Sequence, residues 1–304
     1  LPRVNIHELG VAPPKPRWLA YLRFSRRVHI WLEQHSTAKM IIHSHERTQD
    51  HHITTFHGPP FAQIRSFPFW KRCSLRSKVN LWLENRELCS PQVQTIVPNS
   101  MSIRQQLKLY YPSISKQLSM PIVPGVGNNI MQRQPHAIPA KGGVIGFVGK
   151  EWKRKGLIMA IDIMSELVKQ RPDVHFIVAG CDPKEIEPLF KHVLFQFTLL
   201  GNIDTSDFYQ QLDILLHPAK NEPFGMVITE ALSAGVPAVI SDACGAASEI
   251  TPQRGSCLDL TSPVETWADE LHRWLNKKKF HVQYQYSWRN TSHAYIQLYK
   301  ELKV

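Results

Sequence analysis

The chain has 304 residues, 36 of them Lys or Arg and 25 Asp or Glu, for a formal net charge of +11, and that length predicts two domains with separate cores. Its cysteines, Cys73, Cys89, Cys181, Cys244 and Cys257, form no C-x-x-C pair and no regular spacing, from which a reduced, cytosolic setting follows more readily than a disulfide framework. No apolar run reaches the roughly 18 residues of a membrane span and no charged-then-apolar leader opens the chain, so a soluble or peripheral protein is expected.

The charge belongs to one half. Residues 1–140 carry 18 Lys and Arg against 6 Asp and Glu, whereas residues 141–304 carry 18 against 19. A basic half suits nucleic acid, an anionic membrane or an anionic substrate, and charge alone does not choose among them. In chain order it opens with RVNIHELG, read as a strand, and continues to the strand-like KMII. The histidines His43, His45, His51, His52 and His57 then surround a second strand, ITTF. They could suggest a metal, yet they lack the i, i+4 pattern of a helical ligand set, and no metal site is assigned. Residues 61–88 interleave Phe61, Phe67, Phe69, Trp70 and Trp82 with Arg65, Lys71, Arg72, Arg76 and Lys78. From Cys73 onward Leu75, Val79, Trp82 and Leu83 recur at helical spacing, as in a basic amphipathic helix. Such a segment fits an anionic membrane surface, and equally a helix packed into the core. It carries no recognised nucleic-acid motif, and no nucleic-acid partner is expected.

The stretch SMPIVPGVGNNIMQRQPHAIPAKGG, from Ser119 to Gly143, is rich in Pro, Gly, Asn and Gln and reads as an interdomain linker. The expected organisation is a first domain over 1–125, a linker over 126–142, a second domain over 143–285 and a C-terminal helix over 286–304 that returns to the first domain. In the second domain short apolar runs alternate with helical patterns. Strands are predicted at 143–149, 174–180, 197–201, 214–219 and 237–241, with helices at 155–170, around 184–192, at 206–212 and from about 224 to 234. This alternation predicts βαβ units and a parallel sheet with helices on both faces, a Rossmann-like domain. Ligands of such a domain sit at the carboxyl ends of its strands, where helix N-termini present free N–H groups.

Two motifs fall at those ends. FVGKEWKRKG leaves a strand at Gly149 and carries Lys150, Lys153, Arg154 and Lys155 into a helix; it reads as a diphosphate site or as a solvated basic loop. HPAKNEPFGMVITEA sets Glu222 and Glu230 around Gly225 and a helix start. Carboxylates accept from hydroxyl groups while a helix N-terminus attracts phosphate, so the expected ligand carries both, as a sugar nucleotide does.

GKEWKRKG, the Glu222–Glu230 pair with PFGMVIT between, EALSAGVPAV and YSWRNTSHAYIQLYKEL together resemble the family 4 retaining glycosyltransferases of the GT-B fold. Within them the likeness is greatest to bacterial lipopolysaccharide-core glucosyltransferases. The resemblance covers 141–304. It implies two Rossmann-like α/β domains facing a cleft, with the nucleotide-sugar held mainly by the second and the acceptor by the first. It assigns Arg154 and Lys155 to the diphosphate, Glu230 to the ribose hydroxyls and Glu222 to the donor sugar. The backbone of Phe224, Gly225, Met226 and Val227, with Gly149, lines the sugar and phosphates, and Asn202 and Ile203 contact the base. Glu249 occupies a position where the family often has glutamate. His57, in TFHG, matches the histidine near the anomeric carbon and is the first domain's candidate for the reaction centre.

Breaking a sugar–diphosphate bond places negative charge on the leaving nucleotide, which fixed cations stabilise more in the transition state than in the ground state. The chain has no Asp-x-Asp motif, so the expected chemistry is metal-independent and needs no cofactor beyond a nucleotide-sugar co-substrate; the resemblance implies UDP-glucose, with the choice among UDP, GDP and ADP left open. The implied acceptor is a lipopolysaccharide core or another glycolipid or polysaccharide at the cytoplasmic face of the inner membrane. One departure stands out: only Gly10, Gly58, Gly125 and Gly127 precede residue 140. The first strand, glycine-rich loop and helix of the family's first domain are therefore expected to be missing. The competing expectation is a truncated or degenerate homologue that binds nucleotide-sugar without turnover.

Overall fold

The computed structural model describes residues 4–10, 16–37, 39–131, 141–277 and 282–302; residues 132–140 of the expected linker lie outside them. The chain divides into two units, Leu1–Val123 with Ala294–Val304, and Pro124–His293.

In the first unit helix α1 (Arg17–His35) precedes a parallel sheet ordered β1 (His43–Ser44), β2 (Ile53–Phe56), β3 (Thr95–Pro98). The short α2 (Phe69–Arg72) and then α3 (Leu75–Cys89) lie between β2 and β3, and α4 (Met101–Tyr110) follows β3. β2 is paired on both sides and buried throughout, which is why ITTF reads as a short uninterrupted strand. Ser74 and Ser100 cap α3 and α4 by accepting the N–H groups of Ser77 at 3.1 Å and Ile103 at 3.3 Å. The core gathers Phe56, Leu88, Ile96, Ile103, Leu107 and Ile114.

Three expectations for this unit are corrected. Residues 4–10 form no strand, with Val4 and Ile6 more than 80% exposed; His7 packs on Trp31 of α1, and a segment beside a helix has no ladder to join. The strand expected at KMII begins later, at His43, while the Ile42 carbonyl accepts the N–H groups of His52 and Ile53. On α3 the apolar positions are not one buried face: Leu83 is buried, but Leu75 and Trp82 are 72% and 51% exposed. The inward face instead holds Glu84 and Glu87. Glu84 is tolerated there because it accepts the N–H groups of Phe61 and Ala62 and the Tyr111 hydroxyl, and faces Arg47 at 3.4 Å.

The second unit holds a six-stranded parallel sheet. In chain order it runs β4 (Val144–Val148), α5 (Trp152–Lys155), α6 (Leu157–Gln170), β5 (His175–Ala179), α7 (Pro183–Ile186), β6 (Gln196–Gly201) and β7 (Ile214–His217). Then follow α8 (Met226–Ser233), β8 (Ala238–Ser241), β9 (Gly255–Leu258), α9 (Val264–Leu275) and α10 (Trp288–Glu301), the last grouping with the first unit from Ala294 onward. The spatial order is β6-β5-β4-β7-β8-β9. The chain thus builds outward from β4 to one edge, returns, and builds outward from β7 to the other. The topological switch point of this doubly wound sheet lies between β4 and β7, where such sheets place their ligands.

The five strands expected here stand within a residue or two of their predicted bounds. The helix expected at 206–212 is instead a single 3₁₀ turn, Tyr209–Gln211. Phe208 and Tyr209 are both fully buried, and adjacent residues do not share a helix face. The helix around 184–192 shrinks to α7 plus a 3₁₀ turn at Glu187–Phe190, since Pro188 lacks an N–H for the helical ladder. β9 and α9 are additional; α9 packs Trp267, Ala268, Leu271, Trp274 and Leu275 into the core. Among the described residues no helix is long and apolar enough to cross a membrane.

Candidate functional site

At the switch point the loops after β4 and β7 are joined through their backbones. Gly149 follows β4 with φ +150° and donates its N–H to the Ala179 carbonyl at 2.9 Å. A Cβ there would lie 2.1 Å from Lys155 Cδ, so any other residue at this φ would be strained and would displace that lysine. Gly156 ends α5 with φ +84°, and a Cβ at this residue would meet the Pro218 carbonyl oxygen at 2.0 Å. Lys220 donates its N–H to the Arg154 carbonyl at 2.9 Å, and the Arg154 guanidinium reaches the Asn221 carbonyl.

These joins bring Arg154, Lys155 and Glu222 together. Lys155 Nζ donates to Glu222 Oε2 at 2.8 Å, and Arg154 Nη1 stands 3.3 Å from the same oxygen while its Nη2 pairs with Glu151 at 2.6 Å. The Lys155 and Glu222 side chains are 13% and 10% exposed. Burial works against the Glu222 charge, but His217 and Lys155 outweigh it and hold the carboxyl at about 2. For Arg154 burial is likewise opposed and overcome by Glu151 and Glu222, which raise its pKa. The loop after β8 fixes Glu222 from the other side. Its N–H donates to the Ala243 carbonyl at 3.1 Å, and its carbonyl accepts from Gly245 at 2.8 Å.

The same loop shapes the start of α8. Phe224 is buried and its carbonyl accepts the Ala246 N–H at 2.8 Å. Gly225 caps α8 with φ +100° and Met226 and Val227 open it, with first-turn N–H groups that have no acceptor inside the helix. One turn later Glu230 accepts the hydroxyl of the buried Tyr209 at 2.6 Å. Asn202, exposed, and Ile203, half-buried, follow β6, two strands from β4. Glu249 ends the 3₁₀ turn Gly245–Glu249, beside the Ser248 hydroxyl at 3.4 Å.

His57 lies in the first unit, just past β2. Its Nε2 is 2.9 Å from His45 Nδ1 with the rings stacked at 5.2 Å, and Asn99 donates to its carbonyl at 3.0 Å. Behind it both nitrogens of His43 are engaged, by the Tyr299 hydroxyl and by Thr55, each at 2.7 Å. Burial and the neighbouring histidines push His43 down to about 4, and burial with His45 lowers His57. Among the described residues no group of three or more His, Cys, Asp or Glu is disposed to hold a metal ion.

Sequence reading missed His217, the last residue of β7. It is fully buried 3.6 Å from Glu222 Oε2. The available signal was a histidine ending an otherwise apolar strand run, ILLH. Gly156 and Gly245, which let three loops approach one another, were also missed; nothing in a single sequence marks which backbone a glycine will meet.

Residues 129–291 match the family model described as Glycosyl transferases group 1. The D-inositol 3-phosphate glycosyltransferase of Corynebacterium urealyticum is 26% identical over 193 residues, 56% of this chain and 46% of that protein. The lipopolysaccharide glucosyltransferase WaaG of Escherichia coli is 31% identical over 123 residues, 39% of this chain and 33% of that protein. These matches therefore span less than half the length of either relative. A crystal structure of WaaG, a glycosyltransferase involved in lipopolysaccharide biosynthesis, superposes with a TM-score of 0.73 at 17% identity, covering 88% of this chain and 76% of that one. Anabaena HepE in complex with UDP-glucose gives 0.62 at 16%, over 94% and 77%. At these identities the likeness bears on fold alone, and that fold is GT-B, α/β with two units.

Proposed function

The chain belongs to the group 1 glycosyl transferases, whose family model covers more than half of it, and on that footing we propose that it transfers a hexose from a nucleotide-sugar to a glycolipid or polysaccharide acceptor. The observation that carries this reading is the Lys155–Glu222–Arg154 group at the switch point beside the N-terminus of α8. Two cations held on one carboxylate are placed to pass to a diphosphate, and the carboxylate is then free to accept from sugar hydroxyls. Arg154 and Lys155 stabilise the charge that grows on the departing diphosphate, with the first-turn N–H groups of α8 beside them. Glu230, with Tyr209 on one oxygen, offers the other to the ribose. This chemistry requires no metal, and in its retaining form the leaving phosphate takes the acceptor's proton on the same face. His57 is carried over from the resemblance alone, as the residue matching the family's histidine near the anomeric carbon.

The donor proposed is UDP-glucose, the ligand of the HepE complex, and the acceptor a lipopolysaccharide core, a proposal that the likeness to the lipopolysaccharide glucosyltransferase WaaG supports. Residues 65–76 support presentation of such an acceptor at an anionic membrane surface. Phe69 and Trp70 are each 71% exposed, and Arg65, Lys71, Arg72 and Arg76 are exposed beside them, the combination that favours an interface of anionic headgroups. The test is calorimetric binding of UDP, GDP, ADP and their hexose conjugates with and without EDTA, followed by transfer to delipidated and intact lipopolysaccharide core. Metal-independent binding of a nucleotide-sugar with transfer supports the reading. Binding without sugar release in the presence of every acceptor identifies a donor-binding homologue that lacks turnover, and no binding by a folded chain removes the donor site.

A further inference from the structure

One group at this site is unsatisfied as it stands. His217 is fully buried and its ring stacks on Phe147 at 6.2 Å between centroids, yet neither ring nitrogen has a hydrogen-bond partner. A buried imidazole left so is destabilising, and such groups are rare enough in folded proteins to call for a reason. Its Nε2 is aimed at Glu222 Oε2 from 3.6 Å, about half an ångström beyond a good N–H···O bond. The oxygen it faces is already occupied, by Lys155 at 2.8 Å and Arg154 at 3.3 Å.

We propose that His217 is a positioning residue for Glu222: when a sugar diphosphate draws Lys155 and Arg154 onto its phosphates, the Nε2–H of His217 closes onto the released Oε2 and keeps the carboxylate aimed at the sugar. The inference rests on the donor-site reading above. A carboxylate this enclosed that lost both cations would be a poorly satisfied buried charge, and His217 is the donor in reach. Burial also lowers the pKa of the imidazole, which disfavours a third cation beside Lys155 and Arg154. On this account the unsatisfied Nε2–H is a cost of the free state that donor binding relieves.

His217→Phe keeps the ring and its stacking and removes both nitrogens; His217→Gln restores an N–H near the position of Nε2. Each chain is compared with the unaltered one by thermal unfolding and by calorimetry with UDP-glucose, GDP-mannose and ADP-glucose and with UDP, GDP and ADP. His217→Phe should lower the unfolding temperature little, because its nitrogens have no hydrogen-bond partner and give up only the 3.6 Å approach to Glu222. Its affinity for the nucleotide-sugar that the unaltered chain binds should fall about tenfold, that for the bare nucleotide less than about twofold, and His217→Gln should recover most of the loss. A folded His217→Phe that binds the nucleotide-sugar normally, an equal loss for the bare nucleotide, or a Gln variant no better than Phe overturns the inference and leaves the donor site standing. A His217→Phe chain that cannot fold contradicts the unpartnered state from which the inference starts. Failure of the unaltered chain to bind any of the six removes the donor-site reading itself, and the inference with it.

Discussion

Lys155 and Glu222 are 67 residues apart in the chain and 2.8 Å apart in the fold. Each closes a loop that leaves one of two neighbouring strands, β4 and β7, so the pair is a direct product of the sheet order.

The pair should be visible in acid unfolding. The Glu222 carboxyl is held at about 2 against an ordinary 4.5. A group whose pKa is lower in the folded state adds stability that is full above its unfolded value and is lost as pH falls towards the folded one. Between pH 4.5 and 2 the unaltered chain should therefore lose stability more steeply than Glu222→Gln. Denaturant unfolding at several pH values across that window measures this, and parallel curves would contradict the assignment of the pair.

Lys155→Ala should slow transfer far more than it weakens binding of a nucleoside, because its partner's charge grows as the sugar–phosphate bond breaks. Single-turnover rates set beside uridine and UDP affinities separate the two effects. Equal losses in rate and in nucleoside binding would argue against a transition-state role.

Glu230→Ala removes the proposed ribose contact and the acceptor of the buried Tyr209 hydroxyl, which now donates to Glu230 at 2.6 Å. Nucleotide affinity should fall by about 1–3 kcal/mol and folding stability by about 1 kcal/mol. A Glu230→Ala, Tyr209→Phe double variant should regain the stability and none of the affinity. Calorimetric affinity unchanged in Glu230→Ala would remove the ribose assignment.

Gly245→Ala tests the support of Glu222 from the β8 side. The added Cβ would meet the Pro223 carbonyl oxygen at 2.0 Å, so the 222–224 loop must move. A stability loss of about 1–3 kcal/mol should accompany weaker nucleotide-sugar binding, measured by denaturation and calorimetry on the same preparation. Intact binding would show that the loop's position is not what aims Glu222.

Legible in the sequence alone were the strand–helix alternation after residue 143 and the placing of Arg154, Lys155 and Glu222 in the segments that follow strand ends, with Glu230 on the next helix. Buried parallel strands are short apolar runs, and polar residues at their carboxyl ends are legible without a fold. It was less informative before residue 120. There α1 buries only Ser25 and Leu32, too faint a stripe to register as a period, and on the inward face of α3 Leu83 and Leu88 alternate with carboxylates whose partners lie far off in the chain. Single turns such as Tyr209–Gln211 are too short to have a period at all. Only the tertiary structure decided that β4 lies against β7 rather than β6. Strand order depends on contacts between segments distant in sequence, and those contacts carry Lys155 to Glu222, His217 to the oxygen they share, and Gly156 and Gly245 to the backbones that only a glycine can approach.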